Sequence, residues 1–446
     1  MIDLKKAFLV MTLVSPMIHA ENLIKSVVIN NNELKVLAND DFKSRFLKDD
    51  FFAIYEKDIN LEKLDYSLVI MPFIMHVLSA VWISGETYYV DSMDRDLFYS
   101  IQKLKKVIKA MYPKTPWKGN LIPRKVVHNT QQFTHDESHM ALLYSGGLDS
   151  TSSSFLHRDK KQLLITAWGQ WDLPLNNPEL WETMSKRFSS FAQQYGHTTS
   201  FIKSNYHDFI KNDVFHAMSP EILDWRMATI ENIGWAGLTA PILFLKGYKV
   251  LRIASSDTWN YRYPFAGHPF IDNNISYAGI RLEHDMFNYT RLDKIEYIAH
   301  LKKEGIVENP WLYVCKNKLV ATNCCNCTKC LITILGFLAV GENPAEYDFT
   351  LSPEVSIKNA RHFLTEMIEK NFYSYGTMEN FSHIQEKIKQ RLARGEKIAH
   401  DFKWLLEIDF QSYITHTAEY KFQRKMQWKE LHKLFPDISV PACYLA

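Results

Sequence analysis

Residues 21–112 mix short apolar runs, at 26–30, 68–73 and 80–83, with polar turns. Inside that stretch, residues 94–110 place Leu97, Ile101, Leu104, Val107 and Ile108 on one stripe, the spacing of an amphipathic helix. Pro113, Pro116 and Pro123 then fall among Lys, Arg, Asn, Gln and Thr up to residue 138, which predicts a linker or ordered arm and a domain boundary. From Met140 the rhythm changes. Apolar runs at 140–144, 163–167, 200–203 and 250–254 alternate with helical patterns at 150–158, 178–194 and 221–246. Strands alternating with helices predict an α/β fold, a parallel sheet with helices on both faces. Residues 351–446 read as polar and helical, notably 382–394 and the stretch 420–435 bearing Phe422, Met426, Trp428 and Leu431.

Composition narrows the class. A length of 446 residues allows two or three domains with real cores. Aromatic content of 13% with a net charge of only +2 excludes global disorder. The balance of 52 Lys+Arg against 50 Asp+Glu excludes a broadly basic protein, so nucleic acid is not an expected partner, although a local basic groove is compatible with it. No run reaches the length of a membrane-spanning helix, so no membrane association is expected. At the N-terminus Lys5-Lys6, the apolar stretch 7–18 and Ala20 mimic a short signal peptide. A buried terminal element, or an over-extended start with Met11 or Met17 as the true one, is the other reading.

Two signals carry chemistry. Ser145-Gly146-Gly147-Leu148-Asp149-Ser150 follows a strand and precedes a helix. Its glycines let backbone N–H groups face an anion, its serines add hydroxyl donors, and the helix start favours phosphate. It has neither the Lys nor the spacing of a Walker A loop. The second signal is Cys315-x8-Cys324-x2-Cys327-x2-Cys330: five of the six cysteines fall within residues 315–330, which is how metal ligands rather than disulfide frameworks are distributed. Four thiolates suit a tetrahedral, structural Zn²⁺, with an iron–sulfur site as the alternative; Cys325 reads as a spare and Cys443 as inert.

The first motif resembles the PP-loop of the N-type ATP pyrophosphatases, enzymes that cleave ATP between the α and β phosphates to make an adenylate. With the cysteine spacing, Trp168-Gly169-Gln170, Asn232, the loop after Ala254, Asp293-Lys294-x-Glu296 and Gly336-Phe337, residues 138–340 resemble the QueC (7-cyano-7-deazaguanine synthase) family. The resemblance implies a Rossmann-like PP-loop domain over 138–345, flanked by an N-terminal α+β accessory domain and linker (1–137) and a helical C-terminal extension (346–446). It implies ATP with Mg²⁺ as co-substrate, adenylation of a 7-carboxy-7-deazaguanine-like carboxylate, and transfer of the acyl group to an amine. Trp171-Asp172 and Glu231 stand where the family has Arg-His and Arg, and Cys325 where it has Gly. The added flanks resemble the longer QueC-like components of anti-phage operons (the Qat system and type IV CBASS), which implies a partner protein from the same operon as amine donor. An ordinary nitrile-forming synthase using ammonia is the alternative, and a PP-loop tRNA thiolase a further one. ATP use and reduced thiols imply a cytoplasmic protein.

Residue roles follow. The stretch Ser145, Gly146, Gly147, Leu148, Asp149 and Ser150 is expected to hold the ATP phosphates, with Asp149 as helix cap or Mg²⁺-linked acceptor and Ser145, Asp149 and Lys294 catalytic. By resemblance Lys294 reaches a phosphate oxygen; a solvated surface Lys is the other reading. Trp168, Gln170, Asn232, Ser256 and Asp257 are expected on the substrate, with Ser255 beside them. Stacking on a deazapurine competes with core packing for Trp168 and Trp171. Arg252 and Arg262 read as structural or carboxylate-binding, and His157 and His268 show no metal spacing.

Overall fold

The computed structural model describes residues 21–438 except 131, 132, 134, 135, 137, 223, 260–264, 309, 318, 399, 400 and 424–427. The signal-like segment 1–20, Arg262, Met426, Cys443 and the side chain of Phe422 lie outside the described residues.

Among the described residues the strands are β1 (Glu21–Asn22), β2 (Ile24–Asn30), β3 (Glu33–Ala38), β4 (Phe51–Ile54), β5 (Thr87–Asp94), β6 (Asn120–Val127), β7 (His139–Leu143), β8 (Lys161–Trp168), β9 (Thr198–Ser204), β10 (Val250–Ala254), β11 (Ser276–Tyr277) and β12 (Ile280–Asp285). A parallel three-stranded sheet has the order β1-β5-β6. The other sheet has nine strands in the order β11-β12-β10-β7-β8-β9-β4-β3-β2. Its middle, β12-β10-β7-β8-β9, is parallel throughout. The flanking β4, β3 and β2 are antiparallel additions. The molecule is therefore mixed α/β.

The side-chain alternation of strands feeds two cores, one on each face of the large sheet. Ala141, Leu163, Ile165 and Leu251 join one core, together with Phe42, Phe73 and Trp82 from the N-terminal stretch. Met140, Leu142 and Leu164 join the other, together with Phe188, Leu335 and the C-terminal Phe381 and Phe410. The sheet and the larger core thus run across residue 137, and the smaller core runs across residue 345. The physical reason is that β4 has its own apolar run and hydrogen-bonds to β9, so the N-terminal strands close an edge of the large sheet.

The helices Pro178–Gln194 and Arg95–Met111 follow the expected stripes, the latter capped by Asp94, which accepts from the backbone N–H of Asp96 and Leu97. The stretch expected as one helix over 221–246 is two, Trp225–Thr229 and Glu231–Lys246, broken at Ile230. The expected linker contains β6, whose Pro123 is tolerated because β6 is an edge strand. The stretch 420–435 gives Ala418–Gln423 and Trp428–Leu434. No helix among the described residues is long and apolar enough to cross a membrane.

Candidate active site and metal centre

Between β7 and the helix Leu148–Leu156 the chain turns through Ser145, Gly146 and Gly147. Gly146 has φ +70°, and a Cβ there would lie 2.6 Å from the Trp311 ring, so both backbone and space demand glycine. Ser145 N–H donates to Ser150 Oγ at 3.2 Å and Gly147 N–H to Ser145 Oγ at 3.4 Å, which curls the loop on itself. Gly147 is the helix N-cap and has no side chain to offer, so no side chain caps the first turn. Asp149 is therefore not the cap; it lies in the first turn and its carboxylate points to other partners.

Lys294 is one of those partners. Thr290 and Asp293 form a reciprocal capping box at the start of the helix Arg291–Lys303, which satisfies that terminus and leaves Lys294 to turn inward. Its side chain has no solvent exposure, and Nζ donates to Asp149 Oδ1 at 2.8 Å and to the Ser255 carbonyl oxygen. The surface reading of Lys294 is thereby excluded. Ser256 Oγ donates to Asp149 Oδ2 at 3.2 Å. Burial alone would raise the Asp149 carboxyl, but Lys294 and Arg291 outweigh it and hold the group down to about 2. Asp257 goes the other way: burial, then the nearby Asp149 charge, push it up to about 6.

A cavity of about 300 Å³ opens between the ends of β7 and β10. The Ser145 loop lines it through Gly147, Leu148, Asp149 and Ser150, and Gln170, Asn232 and Ser256 reach it from three other elements. Arg291, Lys316 and Lys329 add cations to its wall, and Asp172 and Glu231 add carboxylates. Arg291 Nη1 is buried there without a hydrogen-bond partner among the described residues. A second cavity of about 110 Å³ shares Asn232 and Ser256 with the first and adds Asp257 and His284.

Other expected residues are placed elsewhere. Trp168 does not line either cavity: it stacks on Trp181 with ring centroids 5.8 Å apart and donates its indole N–H to the Pro174 carbonyl. Trp171 does line the larger cavity and is 44% exposed. Arg252 pairs with Glu283 at 2.5 Å, His157 with Asp285 at 3.1 Å, and the His268 ring stacks on Phe270. Gln170 Nε2 donates to Asp172 Oδ1 at 2.7 Å, and Glu231 pairs with Arg226 at 3.1 Å. Arg291, Lys316 and Lys329 were not anticipated. A signal existed for two of them, since Lys316 follows Cys315 and Lys329 precedes Cys330 directly.

The thiol sulfurs of Cys315, Cys324, Cys327 and Cys330 lie within 4.8 Å of one another, a spacing and donor set that could hold a metal ion such as zinc. Backbone N–H groups point at these sulfurs: Asn317 and Cys324 at Cys315 (3.2 and 3.3 Å) and Cys327 at Cys324 (3.3 Å). A hydrogen bond from Cys330, with the Lys316 N–H behind it, lowers the Cys327 thiol below the ordinary thiol range. Cys325 is outside the group, buried, and holds φ +53°, a backbone that favours glycine. The cluster and the loop are joined. Tyr313 N–H donates to the Gly146 carbonyl at 2.7 Å, two positions before Cys315. Cys315 itself lines the larger cavity.

Comparison with models of known protein families, with curated proteins and with solved structures found no match.

Proposed function

We propose that this chain is an ATP-dependent ligase of the PP-loop, QueC-like kind. In this reading it activates a carboxylate on a flat deazaguanine-like heterocycle as an acyl adenylate, with release of pyrophosphate, and then passes the acyl group to an amine with release of AMP. The observation that carries the reading is where the Ser145 loop lies. β7, β8 and β9 run to one side and β10 and β12 to the other, so the strand order reverses between β7 and β10. Open, doubly wound α/β sheets of the Rossmann type bind ligands in the crevice at that reversal. Both loops that leave it, the one after β7 and Ser255-Ser256-Asp257 after β10, face the larger cavity or its neighbour.

The donors there suit a nucleoside triphosphate. Arg291 Nη1 has no partner of its own among the described residues, and a phosphate oxygen would satisfy it. Arg291, Lys316 and Lys329 would grip the released pyrophosphate, while the uncapped first turn of the helix Leu148–Leu156 and the Ser145 and Ser150 hydroxyls hold the phosphate nearest the acid. Lys294 acts from behind by holding the Asp149 carboxylate rather than by reaching the phosphates itself. Mg²⁺, when bound with ATP, supplies charge neutralisation to the phosphates. Cys315, Cys324, Cys327 and Cys330 would hold a structural Zn²⁺ beside the segment whose Tyr313 N–H donates to the Gly146 carbonyl. Trp171, with its exposed ring on the cavity, is the better stacking surface for a heterocycle than Trp168.

The test is product mass spectrometry on purified protein with ATP, Mg²⁺ and 7-carboxy-7-deazaguanine, adding either ammonium or candidate partner proteins from neighbouring genes. Acid-dependent AMP together with a deazaguanine mass on a partner supports a protein-modifying ligase. A free nitrile formed with ammonium alone assigns the ordinary synthase. No acid-dependent AMP under any condition overturns the adenylation reading.

A further inference from the structure

His284 and Asp272 form a buried pair that plays no part in holding the nucleotide. His284 Nδ1 lies 2.6 Å from Asp272 Oδ2, and the two side chains are 1% and 0% exposed. The same carboxylate oxygen accepts from Asn232 Nδ2 at 2.7 Å. Where the carboxylate is ionised it only accepts, so the proton between them belongs to Nδ1, and in the neutral imidazole the lone pair is then on Nε2. That Nε2 is buried and has no hydrogen-bond partner among the described residues. His284 lines the smaller cavity, together with Ser256 and Asp257, and that cavity shares Asn232 and Ser256 with the larger one. An imidazole held by a carboxylate through one nitrogen, with the other unpartnered among the described residues, in the wall of a small space beside the proposed acyl-activation site is the arrangement of a general base.

We propose that His284, oriented by Asp272, is the base that takes the proton of the acceptor amine, and that the smaller cavity holds that amine. The proposal rests on the adenylation reading for the identity of the electrophile. The acceptor enters as an ammonium ion, drawn by Asp257, and loses one proton to solvent. The free amine then attacks the acyl carbon: the C–N bond forms, the C–O bond to the AMP phosphate breaks, and AMP leaves with that electron pair. The remaining surplus proton on nitrogen moves to His284 Nε2. The titratable groups that face His284 are Asp272, Asp257 and His268, and each of them interacts electrostatically with it. Asp149, Lys294 and Lys329 act at one remove through Asp257.

Three measurements on the full chain test the assignment. In ¹⁵N-histidine NMR of the wild type, with His284→Gln for assignment, Nε2 should show the shift of an unprotonated nitrogen and should move when ammonium or methylammonium is added. An Nε2–H tautomer, or no response to either amine, overturns the proposal without reference to ATP. In kinetics, His284→Gln and His284→Ala should keep acid-dependent ATP–pyrophosphate exchange within about twofold while amide formation falls about 100-fold. The pH dependence of amide formation in the wild type should lose its lower limb in His284→Gln, and Asp272→Asn should show a smaller loss with the limb displaced. Amide formation at the wild-type rate in His284→Gln overturns the base assignment. Loss of exchange in the wild type itself would instead overturn the adenylation reading, and with it the electrophile assigned here.

Discussion

Lys294, with no solvent exposure, donates to Asp149 Oδ1 at 2.8 Å and so ties the helix Arg291–Lys303 to the first turn behind the Ser145 loop. A buried ammonium is tolerated only with its counter-charge and hydrogen-bond acceptors in place, here Asp149 and the Ser255 carbonyl. The loop's shape and its electrostatics therefore depend on the same pair.

Removing one partner strands the other. Asp149→Asn should destabilise the protein by about 3 kcal/mol, because Lys294 is left buried without its charge partner. Lys294→Met added to Asp149→Asn should recover part of that loss, since no unpaired charge remains. Urea denaturation of the single and double variants checks both statements. The Asp149 carboxyl sits at about 2 in the fold, below its ordinary 3.8. Its contribution to stability is therefore present above about pH 4 and is lost as pH falls towards 2.

The cysteine cluster makes a sharper demand. Metal analysis of the purified protein should find close to one zinc per chain. Cys327→Ser should abolish it, and Cys325→Ser should leave it intact, since Cys325 is not among the clustered thiols. Because Tyr313 N–H holds the Gly146 carbonyl, loss of metal should also weaken ATP binding at a distance. Retention of full ATP affinity by the metal-free protein would separate the two sites.

Arg291, Lys316 and Lys329 are expected to share the phosphate charge. Alanine at any one of them should weaken ATP binding about tenfold or more, the order of one charge-assisted hydrogen bond. Isothermal titration with a non-hydrolysable ATP analogue reads this directly. Trp168→Phe should leave the same titration unchanged, because Trp168 is engaged with Trp181 and Pro174.

Asp257 gives a pH signature of the opposite sign to Asp149. Its folded value of about 6 lies above the ordinary 3.8, so the fold binds a proton that the unfolded chain releases. The associated stability is present below about pH 4 and is lost as pH rises through 6. Asp257→Asn should therefore gain stability relative to the wild type as pH rises from 4 to 7, measured as a difference in thermal midpoint across that range.

Much of the α/β core was legible in the sequence because its strands are buried apolar runs: Val250–Ala254 stands where the pattern put it, and β7 and β8 differ only at their ends. The edges were not. β6 carries Pro123 and mostly exposed positions, so its polar composition read as a linker, although β5 supplies its ladder. β12 alternates Ile280 and Leu282 with Arg281 and Glu283, a period-two signal that is too short to stand out from loops. Chemistry was readable where residue type alone constrains it, as in the Gly146-Gly147 turn and the clustered cysteines. It was unreadable where long-range packing decides it. Nothing local in the sequence turns Lys294 inward, sends Trp168 to Trp181, or brings Asp272 to His284 across a turn and a strand.

In the proposed reaction the Ser145 loop directs cleavage of ATP between its α and β phosphates. The most direct measurement is phosphorus NMR of ATP turnover by the intact protein, with and without 7-carboxy-7-deazaguanine, and with Ser145→Ala as a control. AMP and pyrophosphate should form only with the acid and should fall sharply in Ser145→Ala. ADP and inorganic phosphate, or AMP formation indifferent to both the acid and Ser145, would contradict it.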